Sequence, residues 1–173
     1  MTRLADGDRS ALAELVRRHQ RSALELAYRT TGDRTLAEDI AQDAFLRIWK
    51  SADRYTLTAQ FSTWLYRIVV NLCLDAFKKR KPATSGLPDG SDLRAKDPAV
   101  LLERGERALA VRRVVNALPE RQRIAVVLQR FSGMSIRDIA EVTGATESAV
   151  ESLLVRAHAA LGRSLVNLGK NDE

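Results

Sequence analysis

The sequence predicts an all-α protein: two small helical domains joined by a flexible linker. Three observations carry this. Apolar residues recur every three or four positions in both halves of the chain, and no stretch alternates with the period of two that a half-buried strand needs. Gly32, Pro119, Gly133 and Gly144 fall between those periodic stretches, where breakers belong. The run Pro82–Pro98 has no apolar periodicity; it holds Pro82, Pro88 and Pro98 with Ser85, Gly86, Gly90 and Ser91, the composition of a linker. This puts one domain at 1–81, the linker at 82–98 and a second domain at 99–173.

The first helix spans Arg9 to Thr30, with Leu12, Leu15, Val16, Ala23, Leu26 and Ala27 at helical spacing. Arg17, Arg18, His19 and Arg21 take its polar positions, where His19 reads as a surface side chain rather than a ligand. Gly32-Asp33 breaks this helix. Thr35 and Glu38 then have capping-box spacing, and a second helix runs to about Lys50 on a stripe of Leu36, Ile40, Ala44 and Ile48. Its other face carries Asp39, Gln42, Asp43 and Leu46, with Phe45 and Trp49 beside it. Acidic groups early in a helix compensate the dipole. Aromatics beside acidic and amide groups also suit a docking face for another protein. Periodicity alone leaves these two readings even.

After a polar connection containing Asp53, Arg54 and Tyr55, a third helix starts at Phe61. Leu65, Ile68, Val69, Leu72 and Ala76 form its apolar stripe, and Cys73 adjoins it as a small core residue. Trp64, Arg67, Asn71 and Lys78 lie along a different face. A ring to stack on, an amide and cations in one row suit single-stranded nucleic acid. Trp64 as a core residue, with the cluster Lys78-Lys79-Arg80-Lys81 capping a helix C-terminus, is the plainer alternative. The combination favours DNA.

Beyond the linker, Asp97-Pro98 has the form of an N-cap and first helical residue. The helix it starts runs to Ala117, with Leu101, Leu102, Leu109, Val111 and Val114 among its apolar positions. Pro119 begins another, in which Ile124, Val127 and Leu128 face inward, and Gly133 ends it. Ser135 then caps a short helix, with Asp138 at capping-box spacing and Ile136, Ile139, Ala140 and Val142 on its apolar side. Gly144 makes the turn, Thr146 opens the next helix, and Val150, Leu153, Leu154 and Leu161 face the core. Small, glycine and aliphatic residues thus stand where a helix-turn-helix needs them, which favours DNA binding over an ordinary helical hairpin. The polar tail Gly169–Glu173 reads as frayed.

Composition narrows the function. The 173 residues carry a formal net charge of +6, which favours a polyanionic partner. A single cysteine excludes an intramolecular disulfide and disfavours a cysteine zinc site. No phosphate-binding loop, nucleophile elbow or metal-spaced Cys/His set is present, so neither enzyme chemistry nor a cofactor is expected. Without a signal peptide or an apolar run long enough to cross a bilayer, a cytoplasmic location is expected.

Two blocks carry a family resemblance. TGDRTLAEDIAQDAFLRIWK (31–50) followed by FSTWLYRIVVNLCLD (61–75) resembles region 2 of the sigma-70 family, and LPERQRIAVVLQRFSGMSIRDIAEVTGATESAVESLLVRAHAAL (118–161) resembles region 4. In that order across a short linker, they resemble an extracytoplasmic-function (ECF) sigma factor. The resemblance implies that Asp39, Gln42, Asp43, Phe45 and Leu46 bind core RNA polymerase, which turns the even reading of that face toward docking. It implies that Trp64, Arg67 and Asn71 meet the −10 element, Asn71 at a position that helps hold a flipped base, and Lys78 of the same row is expected to join them. It places Thr146, Glu147, Ser148, Glu151, Ser152 and Arg156 on the −35 recognition helix, and it implies an anti-sigma factor, often membrane-anchored, as a further partner. Many relatives carry a basic residue where Glu151 and Leu153 stand, and Arg where His158 stands, so this helix is expected to make fewer phosphate contacts. Relatives also have more helix before LADGD, which implies a late start or a truncation at Met1. The other reading is a free-standing helix-turn-helix regulator of duplex DNA, which would need a dimerisation or ligand domain in place of the first half.

Overall fold

The structure, a computed structural model, describes residues 4, 8–52, 60–79 and 109–169. The regular structure among the described residues is helical: α1 (Arg9–Thr31), α2 (Arg34–Lys50), α3 (Phe61–Lys79), α4 (109–116), α5 (Glu120–Ser132), α6 (Ile136–Thr143) and α7 (Glu147–Gly169). Asp53, Arg54, Tyr55, Arg80, Lys81, the linker 82–98, the Asp97-Pro98 cap, Leu101, Leu102 and the tail beyond Gly169 lie outside the described residues.

Helices α1, α2 and α3 pack on one another. Asp8 caps α1 by accepting from the Ser10 N–H at 2.8 Å, and Gly32 ends it at φ 72°, a left-handed conformation that glycine adopts at no steric cost. α2 does not start on the expected Thr35–Glu38 box. Gly32 turns the chain so sharply that Asp33, in extended backbone, is already the N-cap, and its carboxylate accepts from the Leu36 N–H at 3.0 Å. Thr35 is then an exposed residue of the first turn. Ala37, Ile40, Ala41, Ala44, Phe45 and Ile48 are the buried side of α2, and Leu36 is only partly covered. α3 buries Leu65, Val69, Val70, Leu72 and Cys73. Burial pushes the Cys73 thiol up to about 12, as expected of a core residue rather than a reactive one.

In the second half, α5 buries the run Ile124–Leu128, and α7 packs on both α5 and α6. The capping box of α6 forms in full: Ser135 Oγ accepts from the Asp138 N–H at 3.2 Å, and Asp138 accepts from the Ser135 N–H at 3.0 Å. Gly144 closes the turn at φ 66°, and Thr146 Oγ1 accepts from the Ala149 N–H at the head of α7. Val150, Leu154 and Ala157 are buried, while Leu153 and Leu161 are half-buried. In α4, Leu109 and Val111 are exposed.

The two halves meet directly, a contact that the sequence reading does not contain. α1 packs on α5, α3 packs on α6, and a single hydrophobic cluster runs through both halves. Arg123 of α5 sits at the centre of this junction. It donates to the Thr30 carbonyl at 3.0 Å and, within its own half, to the carbonyls of Asn116 and Leu118. Its guanidinium carbon lies 5.6 Å from the Phe77 ring centroid. Desolvation lowers its pKa, with Glu120 opposing the shift. A Cβ at Gly32 would come within 2.7 Å of the Asn116 amide nitrogen, so glycine there serves the junction as well as the turn.

Candidate polymerase and nucleic-acid interfaces

The proposed docking face of α2 borders a groove. Leu12, Val16 and Leu24 of α1 face Ala41, Phe45 and Leu46 of α2 across it. Phe45 is 8% exposed, so it is a buried wall of the groove rather than a projecting contact. An aromatic on the boundary between the buried stripe and the polar face of α2 is drawn into the α1–α2 packing. Leu46, 56% exposed, projects instead. Asp39 and Gln42 are exposed beside it, and Asp43 pairs with Arg47 at 3.2 Å along the helix. The result is an apolar floor with an acid-and-amide rim, the anatomy of a protein-binding surface.

On α3, Arg67, Asn71 and Lys78 are exposed. Lys78 reaches Asp75 at 3.3 Å, an exposed pair that an opposing phosphate can compete for. Trp64 is half-buried, and the Phe61 ring meets it edge-on at 6.2 Å. His19 packs against Phe61, its ring centroid 4.8 Å away. Desolvation and then the Arg18 charge lower the His19 pKa, which favours the neutral ring. The sequence reading gives this row one aromatic, Trp64, beside Arg67, Asn71 and Lys78. Phe61 and His19 belong beside it, and the contact between α1 and α3 that assembles them leaves no trace in a single helix's periodicity.

On α7, Glu147, Ser148, Glu151, Ser152 and Arg156 are exposed, as is Thr146 before it. Ser148, Glu151, Ser152 and Val155 share a stripe at spacings of three and four. Val155 is 68% exposed, the most exposed large hydrophobic side chain among the described residues, and the sequence reading passes over it. An apolar residue that breaks a polar stripe is the signal that could have found it. Arg156 turns back along its helix, its Nε donating to the Ser152 carbonyl at 3.0 Å. Leu153 is half-buried and packs against the core, an apolar, inward position of this helix. His158 is exposed.

Two family models match the chain: sigma-70 region 2 over residues 15–82 and sigma-70 region 4 over residues 108–161. Over 168 residues the chain is 39% identical to the ECF RNA polymerase sigma factor SigM of Mycobacterium tuberculosis, covering 95% of this chain and 83% of that protein. The chain belongs to the ECF sigma factors of the sigma-70 family. It is also similar to SigW of Bacillus subtilis, 32% identical with 94% of this chain and 92% of that protein covered. Among solved structures it resembles CnrH in complex with the cytosolic domain of CnrY, at a TM-score of 0.71 and 30% identity over 96% of this chain and 94% of CnrH. The sigma factor RpoE of Bartonella quintana, in complex with the anti-sigma factor NepR, shares the fold at a TM-score of 0.74 and 19% identity, over 88% of this chain and 95% of that one. These relatives favour a sigma factor over the free-standing regulator that the helix-turn-helix alone allows. Among the described residues there is no group of side chains placed to hold a metal, and no helix long and apolar enough to cross a membrane.

Proposed function

We propose that this sigma factor docks on core RNA polymerase through the groove between α1 and α2, opens and holds the −10 element on α3, and reads the −35 element with α7. It works in the cytoplasm by binding alone, with no cofactor and no chemistry of its own. Leu46 and the rim groups Asp39, Gln42 and Asp43 are the polymerase contacts, with Phe45 shaping the groove from beneath. Trp64, stiffened by Phe61, offers a stacking surface; Asn71 bonds an extruded base; Arg67 and Lys78 neutralise phosphates. On α7, Thr146, Glu147, Ser148, Glu151 and Ser152 are short or acidic groups suited to base edges, Val155 suits a thymine methyl, and Arg156 meets a phosphate. An anti-sigma factor covering the α1–α2 groove is the expected inhibitor; the relative CnrH is likewise found with a protein partner, the cytosolic domain of CnrY. The domain limits 1–81 and 99–173 follow from this division of labour.

One observation carries the reading: both sigma regions are matched in order, and each places an exposed polar face on its own helix. The test is Asp43→Lys and Leu46→Glu, separately, in pull-down with core polymerase and in run-off transcription. Charge or desolvation penalties at a docking rim should weaken holoenzyme roughly tenfold or more, with circular dichroism unchanged because both side chains are partly or largely exposed. Wild-type affinity from both variants would remove this groove from the interface.

A further inference from the structure

The ring proposed to stack on an unpaired base stands at a weak place on its helix. Trp64 lies in the first turn of α3, which begins at Phe61. The N–H groups that open a helix have no partner within it. In α3 the Trp64 N–H donates to the Gln60 carbonyl at 3.3 Å, just beyond the usual range. A turn of this kind needs support from outside α3 if its aromatic ring is to keep one orientation.

That support comes from α1. His19 sits near the middle of that helix, so its backbone is fixed on both sides. Its ring centroid lies 4.8 Å from that of Phe61, tilted by 59°, and Phe61 in turn meets Trp64 at 6.2 Å and 69°. Both separations fall within the ~4.5–7 Å at which tilted aromatic rings attract. All three side chains are half-buried, so each keeps part of its surface in solvent. The chemistry of His19 suits a brace rather than a grip. Desolvation, then the Arg18 charge, lower its pKa, so at neutral pH the ring is uncharged and neutralises no phosphate. What it contributes is a flat aromatic face.

We propose that His19 is a positioning residue for the −10 element: through Phe61 it holds the Trp64 ring in the orientation that stacks on an unpaired base, so that α1 completes a surface otherwise carried by α3. A side chain already fixed before binding loses less freedom when the base arrives, and the difference appears as tighter capture of the opened strand. Docking on polymerase does not use the ring and gains nothing from the brace. This role rests on the reading of α3 given above.

The experiment uses the full chain. Trp49 and Trp64 are its two tryptophans, so Trp49→Phe leaves Trp64 as the single indole fluorophore. In that background, His19→Ala should enlarge the fast component of the Trp64 anisotropy decay, with circular dichroism unchanged. In holoenzyme with Trp49 restored, His19→Ala should lower open-complex formation about three- to tenfold, the size expected of one lost aromatic pair. Permanganate reactivity of the −10 thymines reads this, and affinity for core polymerase should stay at the wild-type value. His19→Phe keeps a ring and should restore both readouts. Phe61→Leu removes the middle ring but keeps apolar bulk at the helix start; it should reproduce both losses and serves in place of His19→Ala if that variant does not fold. His19→Ala added to Trp64→Ala should cause no further loss of opening. Wild-type anisotropy in His19→Ala, or no rescue by His19→Phe, would overturn the brace. A further loss in the double variant would also overturn it, by placing His19 itself on the DNA. A loosened Trp64 with wild-type opening would remove His19 from −10 capture. Trp64→Ala with wild-type permanganate patterns would strike the reading of α3 and leave the anisotropy result standing.

Discussion

The two helices proposed to meet DNA carry opposite chemistry. α3 carries exposed Arg67, Asn71 and Lys78 beside a half-buried Trp64 that Phe61 meets edge-on, with His19 packed on Phe61 in turn. α7 presents Ser148, Glu151, Ser152 and Val155 on one stripe, and its nearest cation, Arg156, is tied back to Ser152. Cations and aromatic faces grip any strand they meet, because every nucleotide has a phosphate and a stacking surface. Short polar and apolar groups grip little but distinguish base edges. On the proposed reading, affinity is concentrated on α3 and discrimination on α7. A helix that discriminates without gripping needs a tether, which the proposed docking of the first half on polymerase would supply through effective concentration.

The comparison breaks most visibly at α3. Trp64→Ala should lose a stacking surface, and base–aromatic stacking is worth about 1–3 kcal/mol per base. Asn71→Ala is the cleaner change because Asn71 is exposed, so packing is spared. It should lower open-complex formation, read by permanganate reactivity of the −10 thymines, while polymerase affinity stays unchanged. Permanganate patterns identical to wild type would remove Asn71 from strand capture.

A second change tests whether α7 lacks grip for the reason given. Glu151→Arg replaces an exposed acid with a cation on the reading stripe. Promoter affinity should rise, and the slope of log affinity against log salt should steepen by about one contact. Arg156→Ala should do the converse more weakly, lowering affinity about equally across −35 variants, since phosphate contacts carry no sequence information. Val155→Ser should instead shift preference at a single thymine by about 1 kcal/mol. A uniform loss from Val155→Ser would place that side chain on the backbone rather than in the groove.

How far the sequence could be read depended on the range of the interaction. The capping box of Ser135 and Asp138 is three residues long, and it forms as expected. The Gly144 turn and the burial of Cys73 were equally local in origin and equally legible. The start of α2 was misplaced by two residues because Asp33 and Thr35 are both able caps, and the choice is made by the Gly32 turn before them. Phe45 sits on the boundary between a buried stripe and an exposed face, where periodicity does not decide and the neighbouring α1 does. The junction was invisible for the same reason in stronger form. Arg123 reads as one more polar residue of an amphipathic helix, and its contact with Thr30 spans 93 positions. Gly32 reads as a helix stop, yet its second role is set by Asn116.

The smallest effect concerns how α6, on which α7 packs, is capped. The Asp138 carboxyl is kept below its ordinary value by its hydrogen bonds from Ser135, first the side chain and then the backbone N–H. A carboxylate with a depressed pKa in the folded state contributes stability that is fully present above its unfolded value, near pH 4, and is lost as pH falls through the folded value. Asp138→Ala should therefore lower the melting temperature at pH 7 by removing one side of the capping box. The gap from wild type should shrink steadily below pH 4 as the wild-type carboxylate takes up its proton. α3 has no part in this box, so Asn71→Ala should show no such convergence over the same range. Thermal melts that kept the full Asp138→Ala difference at pH 3 would show that the negative charge contributes nothing to the cap, and that Ser135 alone holds the turn.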